Sequence, residues 1–60
     1  MIEDGVYAAT VVEGLFYRVE SDDIRIRVGG GGWVEPIIMT TRETIKIFLD
    51  AGELVKVGDL

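Results

Sequence analysis

The four consecutive glycines Gly29–Gly32 divide this chain into two parts with different hydrophobic periods. Upstream, through Val28, β-formers alternate with polar residues as they do in strands. Downstream, from the Thr40-Thr41 pair, apolar residues recur at helical spacing. Glycines this dense cannot sustain either element, so the chain turns or opens there. A strand-rich part and a short helical part favour a sheet layer covered by a helix.

The strands can be placed by which apolar residues each register brings together. Gly5–Val12 is a first strand, Leu15–Glu20 a second and Ile24–Val28 a third. A two-residue turn at Glu13-Gly14 sets Val12 against Leu15, Thr10 against Tyr17 and Ala8 against Val19. Around Ser21-Asp22-Asp23 two parities compete. A three-residue loop sets Ile26 opposite Arg18. An even loop sets Val19 against Ile26, Tyr17 against Val28 and Glu20 against Arg25, and is preferred because it pairs apolar with apolar. The expected core face is then Val6, Ala8, Thr10, Val12, Leu15, Tyr17, Val19, Ile24, Ile26 and Val28. The opposite face carries Tyr7, Val11, Phe16, Arg18, Glu20, Arg25 and Arg27, a mixture of aromatics and arginines.

Beyond the glycines, Trp33–Met39 reads as a short strand confined to an edge or a bulge, because Pro36 cannot donate to a ladder. Thr40-Thr41-Arg42-Glu43 has the form of a capping box, with Thr40 as the cap and Glu43 reaching back. Ile45, Phe48 and Leu49 form one helical stripe, widened by Ile47 and Ala51, and Gly52 ends the helix. The expected fold is α+β: an antiparallel three- to four-stranded meander with one helix packed on one face. A short C-terminal strand at Leu54–Val57 is an option, and residues 1–60 form a single small domain.

A core this small is marginal, since a domain of this size buries only about 60% of its unfolded surface. The chain has no cysteine and no histidine, so neither disulfides nor the usual zinc ligands can supplement packing. The same absence removes a catalytic triad, a thiol nucleophile and a metal-bound imidazole. Asp22 and Asp23 are neighbours in a turn, where such residues are at home and point apart. With Glu20 they lack the spacing of a calcium loop. The glycine run lacks the lysine, the Ser or Thr and the following helix of a phosphate cradle. The expectation is a non-enzyme without cofactor or metal. Absence of cysteine fits a reducing compartment, and no apolar run reaches a membrane span, so the expected location is the cytoplasm.

Eleven acidic against six basic residues give a net charge of −5. That is unfavourable for binding nucleic acid directly and suits a partner with a basic surface. The candidate contact residues are Glu20, Asp22 and Asp23 around the second turn, Phe16 and Arg25 on the mixed face, and Trp33 as an aromatic anchor. A homodimer through an open sheet face is the structural alternative.

Two resemblances bear on function. Leu15–Trp33, L-F-Y-R-V followed after a short turn by I-R-I-R-V-G-G-G-G-W, resembles the core of the GAR domain of growth-arrest-specific-type cytoskeletal linkers. This chain has one glycine more and lacks that family's zinc-binding cysteines. The resemblance implies a cytoskeletal interaction module. In type alone, a small acidic domain without catalytic residues looks like the inhibitors made by phages, the anti-CRISPR class among them. That likeness implies an acidic inhibitor occupying a nucleic-acid-binding surface of its target. Glu3, Asp4, Glu13, Glu20, Asp22, Asp23, Asp50, Glu53 and Asp59 would supply its charged outline.

Overall fold

A computed structural model describes residues 2–60. Three antiparallel strands, β1 (Gly5–Ala9), β2 (Leu15–Glu20) and β3 (Asp23–Val28), precede helix α1 (Arg42–Asp50), and β4 (Leu54–Gly58) ends the fold. The sheet order is β3-β2-β1-β4, so the C-terminal strand is present and returns beside β1. The architecture is the expected α+β meander with one helix on one face.

The hairpin of β2 and β3 has the expected parity with a tighter turn. Its pairs include Leu15 with Val28, Tyr17 with Ile26 and Val19 with Ile24, two residues out from the expected register. Only Ser21 and Asp22 remain in the loop, and Ser21 takes φ 53°. Its N–H donates to Asp4 Oδ1 over 3.2 Å. The tight turn places Glu20 opposite Asp23, a like-charge pair. Each carboxylate instead turns along its own strand, Glu20 to Arg18 at 2.9 Å and Asp23 to Arg25 at 3.0 Å.

β1 departs from expectation in its parity. Gly5 pairs with Val19, Tyr7 with Tyr17 and Ala8 with Phe16, so the connection to β2 is five residues, Thr10–Gly14, not a two-residue turn. Tyr7 therefore faces the helix at 2% exposure, while Val6 and Ala8 lie on the other face with Phe16 and Arg18. The segment V-Y-A-A-T-V-V is apolar at both parities, so alternation could not choose between them. Size chooses, because a tyrosine offers far more area to bury than valine or alanine and its hydroxyl can still be satisfied. Here the hydroxyl donates to the Glu3 carbonyl. Thr10, Val11 and Val12 leave the ladder and are exposed, so Thr10 and Val12 are not the core residues expected. Thr10 is tied to the end of the helix, its N–H donating to the Glu53 carbonyl and its hydroxyl to the Gly52 carbonyl.

The core is Tyr7, Val19, Ile24, Ile45 and Leu54, one residue from each element, with Tyr17, Phe48 and Leu49 packed around it. Helix α1 buries Ile45 completely, but Ile47 is 64% exposed and Ala51 is exposed, so the stripe is narrower than expected. The cap is Thr41, not Thr40. Thr41 Oγ1 accepts from the Thr44 N–H, and Thr44 Oγ1 accepts from the Thr41 N–H. Thr44 thus takes the part expected of Glu43, because the box starts one residue later. At the other end Gly52 has φ 77°, and the Gly52 and Glu53 N–H groups donate to the Leu49 and Phe48 carbonyls, a Schellman closure.

Arg42, the first helical residue, fastens three segments. Its guanidinium donates to the Ser21 carbonyl, the Ile2 carbonyl and Asp4 Oδ1, each at 2.6 Å. The Arg42 hydrogen bond, helped by that of the Ser21 N–H, holds the Asp4 carboxyl below its ordinary value. A depressed carboxylate stabilises the fold above its unfolded pKa and loses that contribution as pH falls through its folded pKa. Wild type should therefore exceed Asp4→Asn in thermal midpoint at neutral pH, with the gap narrowing as pH falls below about 4; equal gaps at pH 7 and pH 3 would contradict it.

Gly5 sits where β1 meets a bulge in β4, between the pairs Val6–Gly58 and Tyr7–Lys56. At φ 152°, a Cβ here would stand 2.6 Å from the Gly58 carbonyl oxygen and 2.6 Å from Lys56 Cε. Gly5→Ala should cost about 1–3 kcal/mol of unfolding free energy, measured by urea titration. The same change at Gly58, whose Cβ would meet nothing, should cost clearly less.

Candidate functional site

The two faces of the sheet differ in what they leave exposed. The face away from α1 presents Phe16, Arg18, Arg25 and Arg27, flanked by Val6, Ala8 and Val55. After β3 the glycine run reverses the chain. Gly29 takes φ 63° and its N–H donates to the Gly14 carbonyl over 2.9 Å. Val34 then pairs with Ile26 through two hydrogen bonds of 2.8 Å. That single bridge is all that forms of the strand expected over Trp33–Met39. It sets Trp33 alongside Arg27 and Glu35 alongside Arg25. The Arg27 guanidinium carbon lies 5.7 Å from the Phe16 ring centre and 5.9 Å from that of Trp33. Trp33 is half-buried, seated on the sheet face against arginine and outside the helix-covered core.

From Glu35 the chain crosses toward α1 without regular structure, and three large apolar side chains project outward. Ile37 is 100% exposed, Met39 87% and Ile38 80%. Ile37 and Met39 border an open hollow of 350 Å³ whose other lining includes Asp22, Asp23, Glu35 and Pro36. The hollow thus combines three carboxylates with two of the exposed apolar side chains. Asp23 is ion-paired with Arg25, whereas Asp22 and Glu35 have no basic partner among the described residues. The carboxylate of Asp23 raises the Arg25 pKa, with Glu35 adding to it.

The six expected contact residues are therefore not one cluster. Asp22 and Asp23 line the acidic hollow. Phe16, Arg25 and Trp33 lie on the sheet face, as does Glu20, whose carboxylate is held by Arg18. An edge strand over Trp33–Met39 would lay Ile37, Ile38 and Met39 along the sheet, whereas the single bridge at Val34 leaves them exposed. Their signal was visible in the sequence, an apolar run directly after the proline, with no ladder to bury it. Glu35 escaped notice for the same reason.

Among the described residues no three potential ligands stand close enough to hold a metal, and no helix is long and apolar enough to cross a membrane. No protein-family model, curated protein or solved structure significantly matches this chain.

If the run Ile37–Met39 has no part in holding the fold, replacing all three residues by serine should leave unfolding free energy within about 0.5 kcal/mol of wild type, as for other surface changes. A cooperative loss beyond 1.5 kcal/mol would show that the run has a structural duty, on the same scale.

Proposed function

We propose that this chain is a non-enzymatic protein-binding domain, an acidic inhibitor that occupies a basic, nucleic-acid-binding surface of its target. The observation that carries this reading is the hollow beside the second turn. Three adjacent large apolar side chains exposed at 80% or more are costly to leave in water, and here two of them line the hollow with Asp22, Asp23 and Glu35. Such a combination of apolar anchors and carboxylates suits a partner patch that is apolar at its centre and basic around it.

The overall balance of charge supports the same direction. Five of the six basic side chains are engaged with carboxylates of this chain, leaving Glu13, Asp22, Glu35, Glu43 and Glu53 unpaired among the described residues. The unpaired excess is anionic, and two of its five carboxylates, Asp22 and Glu35, line the hollow. Apolar contact would supply most of the affinity, while the carboxylates would set the rate and choice of partner.

The test is to recover the target by crosslinking in cells and then measure displacement of a fluorescent oligonucleotide from it by the purified domain. Stoichiometric displacement that weakens as salt rises is expected. Ile37→Ser with Met39→Ser should reduce affinity by a factor on the order of 30, the scale of an interface hot spot of about 2 kcal/mol. Joint replacement of Asp22, Asp23 and Glu35 by their amides should reduce it less and flatten the salt dependence. A target whose oligonucleotide is retained, or an affinity indifferent to all five changes, would sink the proposal.

A further inference from the structure

Arg27 differs from every other basic side chain in this molecule. Arg18, Arg25, Arg42, Lys46 and Lys56 each lie within 3.1 Å of a carboxylate oxygen. Arg27 reaches none among the described residues. Its Nε donates to the Gly29 carbonyl over 3.1 Å, and Phe16 and Trp33 stand within cation–π reach of its guanidinium. One hydrogen bond and two rings thus hold the group against the sheet. Of the five donors an arginine carries, those on the two Nη atoms have no acceptor among the described residues.

A guanidinium held this way has little further freedom to lose on binding, and its planar fork matches a carboxylate with two parallel hydrogen bonds. The surroundings narrow the ligand. In the same row of the sheet, Phe16 is followed by Ala8 and then Val55, an apolar floor that ends at the outer strand. The neighbouring arginines are already neutralised by Glu20 and Asp23, and Glu35 adds negative charge beside Arg25. One fixed cation beside apolar floor suits one anion flanked by apolar side chains. A nucleic acid strand would need a track of cations and free aromatic faces, and here the arginine sits against both rings.

We propose that the sheet face away from α1 is a second docking surface, taking an extended protein segment that seats one carboxylate on the Nη edge of Arg27 and lays apolar side chains over Phe16, Ala8 and Val55. This surface is separate from the acidic hollow and complements it in sign. One partner bridging both, or two partners, would be held through opposite charges.

The probe is the capped peptide acetyl-Thr-Val-Glu-Val-Thr-amide, with the same peptide carrying Gln in place of Glu as control. Nuclear magnetic resonance would follow the Arg27 Nε–H and the Trp33 indole N–H, and the fluorescence of the single tryptophan gives a second reading. The Glu peptide should produce saturable shifts at both resonances, with the Gln peptide about tenfold weaker, the scale of a charge-assisted hydrogen bond. In Arg27→Gln, and also in Arg27→Lys, which keeps the charge but loses the fork, the preference for Glu should vanish while the remaining amide spectrum is retained. Ile37→Ser with Met39→Ser should leave this titration unchanged, so the two surfaces can fail separately. Absence of saturable shifts, equal binding of both peptides, or undiminished discrimination by Arg27→Lys would overturn the proposal. Tighter binding of hexathymidylate than of the Glu peptide would reassign the face to nucleic acid. Shifts that appear on concentrating the protein alone would reassign it to a second copy of the chain.

Discussion

The burial of Tyr7 is the constraint on which the rest of this fold depends. It is the largest side chain in the core, and it stands on β1, which has a strand on each side in the sheet. Turning it toward α1 sends Val6 and Ala8 to the opposite face and takes Thr10, Val11 and Val12 out of the ladder. Thr10 is then free to bond the closing turn of the helix. The chain has to accommodate β4 on the other side of Tyr7, and it does so with a bulge against a glycine. Gly5 leaves room there for the Lys56 stem, whose ammonium reaches Glu3 and Asp59 on the surface.

Polar contacts hold the rim of this core where the apolar ones stop. Arg42 joins the helix start, the chain before β1 and the β2–β3 turn, the three segments bordering one end of the sheet. The contacts to Asp4 and Ser21 are exposed, and an exposed ion pair such as Arg42–Asp4 adds little on its own in water. Their part is geometric, since they set the height of the Ser21-Asp22 turn against the helix. That turn forms one wall of the acidic hollow, and the loop from Glu35 to Thr40 forms the other. The glycine run works on the opposite side of the same sheet. By reversing the chain at Gly29 it brings Trp33 back against Arg27, and the bridge at Val34 fixes how far it returns.

Much of the fold was legible wherever a local rule met no rival. The parity of β2 and β3 followed from strict alternation, because only one parity put Leu15, Tyr17 and Val19 with Ile24, Ile26 and Val28. Gly52 was legible as the end of the helix, since only a residue tolerating positive φ fits that closure. Elsewhere two local solutions were nearly equal. Adjacent threonines each offered a cap, and a third, Thr44, completed the box from Thr41. Beyond the glycines a whole edge strand is expected where a single bridge forms, so Ile37–Met39 lie exposed and outside any ladder.

What the sequence by itself determined is therefore the class of fold, the placement of β2, β3 and the helix, and an anionic excess without histidine or cysteine chemistry. These rest on period, on glycine geometry and on composition, which act over a few residues or over none in particular. Only the tertiary structure decided which face of β1 is buried, which five cations are already paired, and what stands around Arg27. Each of those depends on groups far apart in the chain. A segment apolar on both faces, or a guanidinium within reach of several partners, carries no local preference, so the competition is settled only when the sheet and helix meet.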